Sequence, residues 1–394
     1  MPKVLRIINR FNIGGPTYNA AYLTKYLDES FETLLVGGAK DESEDSSEFI
    51  VESLGLSPII VHEMKRELNY KQDRIAYKKI KQIIADFKPD IVHTHASKAG
   101  ALGRLAAYNM KVPVIVHTFH GHVFHSYFGK SKTKLYKSIE KHLAKKSTAI
   151  IAISDIQKQE LANVHKICGE DKIEVIPLGF DLNRFRENKE EKRIAFRKEW
   201  NIEDHEIIIS IVGRLVPIKN HYFFLNVAKN ILEKTNKTVR FFIVGDGELK
   251  NNLTNYCDTI NLTYATNKED SNKSNITFTS WIKEIDVVNA GSDIIALTSK
   301  NEGTPVSLIE AQASGKPIVS TNVGGIGNIV KVNETAFLTP INDEALFSKH
   351  LISLIDNEKL RTEMSEKGNH VFKDFHYTRL AKDIENLYTR LLKK

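Results

Sequence analysis

The chain has 394 residues, of which 41% are hydrophobic and 27% are charged. A chain of this length and mixture can form two or three folded domains, and it is neither largely disordered nor a collagen-like or disulfide-based scaffold. The net charge of +7, from 56 Lys and Arg against 49 Asp and Glu, is too small an excess to indicate a nucleic-acid-binding protein. It allows anionic ligands and an anionic membrane surface as partners.

The sequence carries no recognisable export or membrane signal. No apolar run approaches the roughly 18 residues that cross a bilayer, and the first residues form a strand-like pattern over 3–8 rather than a signal peptide. Cys168 and Cys257 lie far apart in the sequence, which indicates unpaired thiols in a reducing compartment. We therefore expect a cytoplasmic protein, with any membrane contact made peripherally at the inner face.

Short apolar runs alternate with helix-like stretches in the first half of the chain. The strand-like runs lie near 3–8, 32–37, 58–61, 90–94, 113–117, 149–153 and 173–176. The helix-like stretches include 17–27, 72–87 and 98–109. The alternation ends near Pro177, and the highly charged stretch 184–198 is typical of a linker that runs into a helix.

The same alternation restarts after this linker. Strand-like runs lie at 206–212, 239–244, 276–279, 293–297 and 317–320, and helix-like stretches at 220–234, 246–256, 282–290, 305–314, 341–357 and 377–393. The polar segment 258–275 is predicted to be a solvated loop. Strands that alternate with helices form parallel sheets, which bind ligands beyond the carboxyl ends of their strands. We therefore predict an α/β protein with two domains of similar size and a cleft between them.

The most informative stretch, 299–317, directly follows a predicted strand. Thr304 is a predicted N-cap, Pro305 suits the first helical position and Gly315 suits the C-terminal end, which predicts a helix over 305–314. A helix that begins at the carboxyl end of a strand offers free N–H groups and the positive end of its dipole. The pattern therefore predicts an anion site that suits a phosphate.

Glu302 and Glu310 lie next to this predicted phosphate site. A carboxylate in that place can accept hydrogen bonds from the hydroxyl groups of a ribose or a sugar. The alternative is that Glu302 merely complements the helix dipole and that Glu310 is solvated.

A second stretch, 211–220, carries two cations where another strand passes into a helix. Arg214 and Lys219 lie in the turn, and Asn220 is a predicted helix cap. A guanidinium fork and an ammonium group together suit a diphosphate, although both could be ordinary surface residues. Gly14 and Gly15 follow the first strand and allow a close approach of backbone to a ligand, but they do not form the dinucleotide fingerprint and could be a simple turn.

Histidines accumulate at two predicted strand ends. His93 and His95 close one strand, and the other strand is followed by His117, His120, His122 and His125. Their spacing matches no standard zinc pattern, and no Cys or acidic ligand is interleaved, so no metal site is predicted. Imidazoles at strand ends can bind sugar hydroxyls, and the alternative is that they are core or turn residues.

The segment 130–146 is a predicted helix with seven Lys and one Glu. Its apolar face carries Leu135, Ile139 and Leu143, and another face carries Lys134, Lys137, Lys141 and Lys145. Such a helix can dock on anionic lipid head groups, with about 1 kcal/mol for each Lys near the surface. The alternative is a solvated helix face, and the segment has no aromatic platform that would indicate nucleic acid.

Together these motifs resemble the retaining glycosyltransferases of family 4. Glu302 and Glu310, followed by Gly315-Lys316-Pro317, resemble the E-x7-E signature of that family. Arg214 and Lys219 resemble its diphosphate-binding pair, and Gly14-Gly15 resembles its N-terminal glycine loop. The histidine-rich stretch resembles a subgroup from bacterial surface-polysaccharide assembly. The resemblance implies the GT-B fold, in which two Rossmann-like domains have parallel sheets facing across a cleft.

The resemblance also implies a domain plan and an activity. It implies an acceptor-binding domain over 1–185, a nucleotide-sugar-binding domain over 186–375 and a final helix over 376–394 that crosses back to the first domain. The implied enzyme is a retaining hexosyltransferase that moves a sugar from a nucleotide diphosphate sugar, expected to be a UDP-sugar, to a hydroxyl acceptor such as a lipid-linked glycan. No cofactor beyond the donor substrate is implied, and no metal is expected because no Asp-x-Asp pair follows a strand. The alternative is an epimerase or hydrolase of the same fold.

Individual roles follow from the same resemblance. Arg214 and Lys219 would neutralise the diphosphate with help from the Gly15 N–H, and Glu310 would bind the ribose. Glu302 would bind the donor sugar and His120 would lie beside it, so the predicted catalytic residues are Glu302, His120, Arg214 and Lys219. The predicted donor-binding residues are Gly14, Gly15, Arg214, Lys219, Ser280, Trp281, Glu302, Gly303, Thr304, Pro305, Val306, Ser307 and Glu310. The predicted acceptor or membrane residues are His95, Lys98, His122, Lys134, Lys137 and Lys141.

Three positions depart from the family pattern. Gly303-Thr304-Pro305 stands where the family often has Gly-Phe-Gly, Asn328 stands near a frequent Glu, and Ser280-Trp281 replaces a common Gly in the base-binding turn. These departures leave the sugar and the base open, but not the reaction class. Paired carboxylates belong to glycoside hydrolysis, so Glu302 is not assigned as a covalent nucleophile. The expected mechanism is a front-face departure in which the leaving phosphate takes the acceptor proton.

Overall fold

The structure is a computed structural model that describes residues 1–11, 15–39, 48–65, 67, 69–120 and 130–393. The chain divides into two compact units. Unit 1 comprises Met1–Phe180 and Asp374–Lys394, and unit 2 comprises Asp181–Lys373. No described helix has the length and apolar character needed to cross a membrane.

Unit 1 contains a parallel seven-stranded sheet in the order β3-β2-β1-β4-β5-β6-β7. Its strands are β1 (Lys3–Arg10), β2 (Glu32–Gly38), β3 (Ile59–Ile60), β4 (Ile91–His95), β5 (Val114–Phe119), β6 (Ala149–Ala152) and β7 (Ile173–Val175). Its helices are α1 (Gly15–Tyr26), α2 (Glu48–Ser53), α3 (Tyr70–Phe87), α4 (Ser97–Asn109), α5 (Lys130–Lys146), α6 (Asp155–Gln159) and, from the end of the chain, α15 (Tyr377–Leu392). The seven strand-like runs predicted in the first half coincide with these strands.

Unit 2 contains a second parallel seven-stranded sheet, in the order β10-β11-β9-β8-β12-β13-β14. Its strands are β8 (Ile207–Val212), β9 (Val239–Val244), β10 (Tyr264–Ala265), β11 (Ile276–Ser280), β12 (Ile294–Leu297), β13 (Ile318–Thr321) and β14 (Ala336–Thr339). Its helices are α7 (Lys189–Glu199), α8 (His221–Leu232), α9 (Lys250–Thr259), α10 (Ile285–Gly291), α11 (Val306–Ala313), α12 (Glu344–Asp356) and α13 (Glu358–Lys367), and α14 (Val371–Phe375) spans the boundary between the units.

The differences from the predicted elements lie in polar or short segments. The predicted loop over 258–275 is wrong at Tyr264–Ala265, which forms an edge strand paired with β11. The charged stretch 184–198 runs into a helix as predicted, and that helix, α7, begins already at Lys189. No prediction was made for β14, which has only four residues.

Alternation along the strands gives each sheet two apolar faces. In unit 1, Val4 faces a core shared with α1 and α15, whereas Leu5 faces a core shared with α3 and α4. In unit 2, Ile209 packs with residues of α8 and α12, whereas Ile208 packs with Phe196 of α7. Both sheets are therefore covered on both sides by helices, and only the loops at their strand ends are free to form sites.

Candidate functional site

Two loops of unit 2 meet at the carboxyl ends of β8 and β12. Thr298 Oγ1 donates a hydrogen bond to the carbonyl oxygen of Lys219 at 2.9 Å. Lys219 Nζ lies 2.6 Å from Glu302 Oε1, and the same oxygen accepts a hydrogen bond from Ser299 Oγ at 2.5 Å. The structure therefore joins two predicted site residues that are 83 positions apart in the sequence. One carboxylate oxygen of Glu302 is engaged by two donors, which leaves Oε2 for other partners.

Arg214 starts from the same loop as Lys219. The Lys219 side chain passes over Gly213, where an added Cβ would lie 3.5 Å from Lys219 Cε. The Arg214 side chain is exposed and has no ion-pair partner among the residues that the structure describes. The loop thus presents one cation that is neutralised by Glu302 and one that is available to an anion.

The loop that follows β13 supports the backbone beside Glu302. Gly325 N donates to the carbonyl oxygen of Glu302 at 3.1 Å. Gly324 has a left-handed φ of +52°, and a Cβ added there would overlap the Glu302 carbonyl oxygen, as one on Gly325 would overlap that of Gly303. Only glycines allow this approach. Sequence reasoning did not assign this supporting role, because the contact joins two loops distant in the chain.

The helix α11 is shorter at its N-terminus than predicted. Thr304 is not its N-cap: Pro305 occupies that position with ψ of 108°, and no side chain caps the first turn. At the other end, Gly315 has φ of +71°, and its N–H and that of Lys316 donate to the carbonyl oxygens of Gln312 and Ala311, both at 2.9 Å. This is a Schellman ending. The uncapped first turn leaves N–H groups next to Glu302 for an anion.

Asn220, the other predicted helix cap, does not act as one. It has a left-handed φ of 55° and makes no side-chain cap bond to α8. Its carbonyl oxygen instead accepts a hydrogen bond from Thr298 Oγ1 at 3.2 Å. The turn is therefore shaped by its contact with the β12 loop rather than by capping of α8.

Glu310 lies inside α11 with its side chain 15% exposed. Burial raises the pKa of the Glu310 carboxyl to about 7. The positive charge of Arg184 lowers this pKa, and the negative charge of Asp286 raises it further. Arg184 Nη2 lies 3.8 Å from Glu310 Oε1, and Lys192 Nζ lies 2.9 Å from Asp286 Oδ2. Arg184 was not among the predicted site residues, because nothing in its local sequence marks it.

The turn after β11 has the geometry that a glycine would adopt without strain. Ser280 has a left-handed φ of 57°, and its Oγ accepts a hydrogen bond from Lys250 Nζ at 2.6 Å. Trp281 follows with 39% of its surface exposed. The departure from the family pattern at Ser280 thus preserves the turn and adds a hydroxyl group. Asn328, the other departure, is exposed in a short helical turn over Ile326–Asn328.

In unit 1, histidines form a row at the carboxyl ends of β4 and β5. His95 Nδ1 lies 2.9 Å from His120 Nε2. The His93 ring lies against that of His95, with centroids 4.2 Å apart, and His93 Nε2 lies 2.7 Å from Thr118 Oγ1. Burial lowers the pKa of His120 to about 3 and also holds the pKa of His93 and His95 well below its ordinary value. The row is therefore uncharged at neutral pH.

Behind this row lies a cation that the sequence analysis did not single out. Arg6 is fully buried, and its Nη1 and Nη2 donate to Thr24 Oγ1 at 3.3 Å and to Tyr388 OH at 3.4 Å. Tyr388 OH also lies 2.6 Å from His93 Nδ1. Tyr388 belongs to α15, so the end of the chain supports the histidines of β4. His117 is separate from this row and pairs with Thr94 Oγ1 at 2.8 Å.

Gly15 begins α1, whereas the predicted residues Gly14 and His122 lie outside the described residues. Lys98, a predicted acceptor or membrane residue, is only 9% exposed and its Nζ lies 2.5 Å from Asp73 Oδ1. This ion pair neutralises the charge of Lys98. Among the described residues, no group of three or more His, Cys, Asp or Glu is positioned to hold a metal ion.

The helix α5 does not bury the apolar face that was predicted. Leu143 is 4% exposed, but Leu135 and Ile139 are 60% and 39% exposed. The face that packs instead includes Glu140, whose Oε2 lies 2.6 Å from Nη2 of the fully buried Arg104. The buried side of α5 therefore carries a paired carboxylate as well as Leu143. Lys134 and Lys141 are exposed and Lys137 is half-buried.

Two family models match the chain. The model of the group 1 glycosyl transferases matches residues 192–371, and that of glycosyltransferase family 4 matches residues 13–184. The chain is 32% identical over 385 residues to the UDP-Gal:alpha-D-GlcNAc-diphosphoundecaprenol alpha-1,3-galactosyltransferase of Escherichia coli, with 96% of this chain and 89% of the relative covered. It is 25% identical to the capsular polysaccharide biosynthesis glycosyltransferase CapM of Staphylococcus aureus, with 84% of each covered.

The fold matches solved structures over nearly their whole length. The structure of Anabaena Alr3699/HepE in complex with UDP superposes with a TM-score of 0.80 at 16% identity and covers 98% of this chain and 100% of that one. These matches confirm the predicted α/β class with the GT-B fold and the resemblance to bacterial surface-polysaccharide glycosyltransferases. The chain belongs to the family 4 glycosyltransferases.

Proposed function

We propose that the protein is a retaining glycosyltransferase that moves a sugar from a UDP-sugar to a hydroxyl group of a lipid-linked glycan. The observation that carries this proposal is that Arg214, a cation available to an anion, lies in the same loop as Lys219. Lys219 Nζ lies 2.6 Å from Glu302 Oε1, and Glu302 is next to the uncapped N-terminus of α11. The names of the relatives support the substrates: the Escherichia coli relative is named for UDP-Gal and a GlcNAc-diphosphoundecaprenol acceptor, and HepE was solved with UDP.

The diphosphate of the donor is the group that these cations suit. The guanidinium of Arg214 can bind a phosphate through two parallel hydrogen bonds. Lys219 Nζ has three N–H donors, so it can bind a phosphate oxygen while it keeps its contact with Glu302. The backbone N–H groups of Val306 and Ser307 at the start of α11 add uncharged hydrogen-bond donors. The positive end of the helix dipole lies there as well and favours a phosphate. Because the cations come from the chain itself, the reaction needs no metal, and activity should be unchanged by chelators.

Glu302 suits a hydrogen-bond acceptor better than a covalent nucleophile. Its Oε1 is held by Lys219 Nζ at 2.6 Å and Ser299 Oγ at 2.5 Å, which reduces its nucleophilicity and fixes its orientation. Oε2 is then free to accept hydrogen bonds from the donor sugar. In the proposed step the bond from the anomeric carbon to the phosphate oxygen breaks while the bond to the acceptor oxygen forms on the same face. The acceptor proton passes to the departing phosphate, whose charge Arg214 stabilises.

The proposed activity can be tested with UDP-galactose and a short-chain analogue of GlcNAc-diphospholipid as acceptor. We expect a disaccharide product, with the donor's anomeric configuration retained by NMR. A thermal-shift panel of UDP-, GDP- and ADP-sugars should show stabilisation by the UDP-sugar, since a ligand that binds only the folded protein raises its apparent stability. UDP release at an equal rate without acceptor would favour the hydrolase alternative, and conversion of the donor sugar without UDP release would favour the epimerase.

A matched pair of variants tests the donor site itself. Arg214→Gln should weaken UDP-sugar binding by about tenfold or more, because a charge-assisted hydrogen bond contributes about 1.5–3 kcal/mol. Lys237→Gln removes an exposed cation from unit 2 that precedes β9, at the opposite end of the sheet, and should leave binding unchanged. Equal effects of the two variants would contradict the assignment of Arg214.

We infer further that α5 docks unit 1 on an anionic membrane. The exposed Leu135 and Ile139 lie beside the exposed Lys134 and Lys141, and this combination of apolar and basic residues suits the interface between head groups and acyl chains. Co-sedimentation should show binding to phosphatidylglycerol vesicles and not to phosphatidylcholine vesicles. The double variant Leu135→Ser/Ile139→Ser should lose this binding, whereas Ile194→Ser, an equally exposed apolar residue of unit 2, should not. Failure of the wild-type protein to co-sediment with phosphatidylglycerol vesicles would refute the inference.

A further inference from the structure

The β9 loop, which comprises residues 245–249 after β9, lies against the backbone on both sides of Arg214. Leu215 N donates a hydrogen bond to the carbonyl oxygen of Asp246 at 2.9 Å, and the carbonyl oxygen of Leu215 accepts one from Leu249 N at 3.0 Å. Gly213 N donates to the last carbonyl oxygen of β9 at 2.9 Å. Both chain neighbours of Arg214 are therefore held by β9 and the loop that follows it.

Two glycines allow the β9 loop to approach the Arg214 turn this closely. A Cβ added to Gly245 would overlap the carbonyl oxygen of Gly213, and one added to Gly247 would lie 2.6 Å from that of Leu215. In both cases the atom in the way belongs to the backbone, which cannot rotate aside as a side chain can. Any other residue at either position would therefore displace the backbone next to Arg214.

The backbone of Arg214 is fixed, whereas its side chain is not. The side chain of Leu215 is fully buried in the core shared with α8 and β9, and the carbonyl oxygen of Arg214 accepts a hydrogen bond from Val216 N at 2.9 Å. The Arg214 side chain is exposed and has no ion-pair partner in the described part of the chain. A fixed backbone limits the positions that a long side chain can sample, so less conformational freedom is lost when an anion binds.

We propose that Gly245 and Gly247 are positioning residues for Arg214. Because they have no side chains, the β9 loop can hold the Arg214 turn where the guanidinium meets the diphosphate of the donor. This proposal rests on the proposed function, because it takes Arg214 to bind that diphosphate. The contact between the β9 loop and the turn does not depend on the function and can be measured separately.

The variant Gly247→Ala tests the proposal most selectively, because the three atoms nearest to its added Cβ all belong to Leu215. Calorimetric titration should show UDP binding weakened by about tenfold, since a small displacement of a positioned group is costly. In the double variant with Arg214→Gln, the loss should be no greater than in Arg214→Gln alone, because two changes that act through one contact are not additive. Losses that multiply in the double variant would overturn the proposal.

A second glycine of unit 2 controls for strain in general. A Cβ added to Gly291, which precedes β12 at the opposite end of the sheet, would overlap the side chain of Phe196. Gly291→Ala should therefore lower stability without weakening UDP binding by the folded protein. If Gly291→Ala weakened UDP binding as much as Gly247→Ala does, general strain would explain both effects and the proposal would be wrong.

Hydrogen exchange measures the contact without any ligand. The Leu215 N–H is bonded to the carbonyl oxygen of Asp246 and should exchange slowly in the wild type. Relative to the N–H groups of β13, it should exchange faster in Gly247→Ala and at the wild-type rate in Gly291→Ala. Unchanged relative exchange in Gly247→Ala would overturn the proposal, whatever the affinity for UDP.

Substitutions of Asp246 provide a milder test in case Gly247→Ala does not fold. Asp246 Oδ1 accepts a hydrogen bond from Gly247 N at 2.8 Å, which shapes the β9 loop. Asp246→Ala and Asp246→Asn both remove the negative charge, but only the Asn side chain can still accept this bond. UDP should bind Asp246→Asn about threefold more tightly than Asp246→Ala, and this difference should vanish when Arg214 is replaced by Gln. Equal affinities of the two variants would overturn the proposal.

Failure of the proposed function would give a different pattern from failure of this inference. If Arg214→Gln binds UDP as tightly as the wild type, the proposed function of Arg214 fails, and only the contact measured by exchange at Leu215 stands. If Arg214→Gln weakens UDP binding and a folded Gly247→Ala does not, the positioning role fails and the proposed function stands.

Discussion

Replacement of Glu310 by Gln is predicted to stabilise unit 2 while weakening donor binding. Burial raises the pKa of the Glu310 carboxyl from 4.5 to about 7, and one pKa unit corresponds to about 1.4 kcal/mol. The folded protein therefore binds a proton at Glu310 more tightly than the unfolded chain does. Stability falls as the pH rises from about 4.5 to about 7, and the buried carboxylate then destabilises unit 2 by roughly 3 kcal/mol at pH 8. Gln has the same shape and removes this charge.

Unfolding by urea at two pH values measures this effect. The two Trp residues of the chain, Trp200 and Trp281, both belong to unit 2, so tryptophan fluorescence reports the unfolding of that unit. At pH 8 the free energy of unfolding of Glu310→Gln should exceed that of the wild type by about 3 kcal/mol, and at pH 5 the difference should shrink to about 1 kcal/mol. Glu334→Gln, which changes an exposed carboxylate of the same unit, should show no such dependence on pH.

Donor binding should change in the opposite direction. Calorimetric titration with a UDP-sugar at pH 8 should give weaker binding to Glu310→Gln, because an amide replaces the carboxylate oxygens that are proposed to accept the ribose hydroxyl bonds. Wild-type binding should weaken by about tenfold between pH 8 and pH 6, as the carboxylate is protonated below its pKa of about 7. The reasoning would be refuted by a stability difference that is the same at both pH values, or by a variant that is stabilised but binds the donor as tightly as the wild type.

Three further substitutions test the contacts that support the sites. Gly325→Ala forces a Cβ against the carbonyl oxygen of Gly303 and should lower kcat/KM by at least about tenfold. The control Gly327→Ala places its Cβ 3.8 Å from the nearest neighbour and should leave kcat/KM unchanged. Equal kcat/KM values for the two variants would contradict the supporting role of Gly325. Glu140→Leu leaves the fully buried guanidinium of Arg104 unpaired in unit 1 and should destabilise that unit by about 3–5 kcal/mol. Urea unfolding followed by tyrosine circular dichroism measures this loss. An unchanged midpoint of unfolding would refute the pairing. Tyr388→Phe keeps the ring but removes the hydroxyl that lies between Arg6 Nη2 and His93 Nδ1. This variant should destabilise unit 1 by about 1–3 kcal/mol in the same assay. A variant as stable as the wild type would show that the hydroxyl does not stabilise unit 1.

The layout of the fold could be predicted from the sequence because local patterns determine it. Buried strands such as Ile207–Val212 appear as continuous apolar runs, and each lies between amphipathic segments. The α11 helix could be placed to within one residue at each end. Its N-cap was predicted to be Thr304, whereas it is Pro305. Thr commonly caps helices, and the sequence does not show whether a particular Thr side chain makes the capping hydrogen bond.

The contacts that position the site residues could not be predicted in the same way. Glu302 and Lys219 were both predicted, but their ion pair depends on how two loops meet. Arg6 and Tyr388 are 382 positions apart in the chain, and neither lies in a motif. The apolar face of α5 was predicted to carry Leu135, Ile139 and Leu143, but the buried side of the helix includes Glu140, which pairs with Arg104.

The assignment of α15 to unit 1 has a consequence for biosynthesis. Unit 2 is one uninterrupted stretch of chain, whereas unit 1 is made of two pieces that flank it. The core between α1 and the sheet of unit 1 includes Leu380, Ile384 and Leu387 of α15, which leave the ribosome only after all of unit 2. The unit made second can therefore finish folding first, and the unit begun first must keep an incomplete apolar face until α15 has been made. Molecular chaperones are best placed to act during that interval.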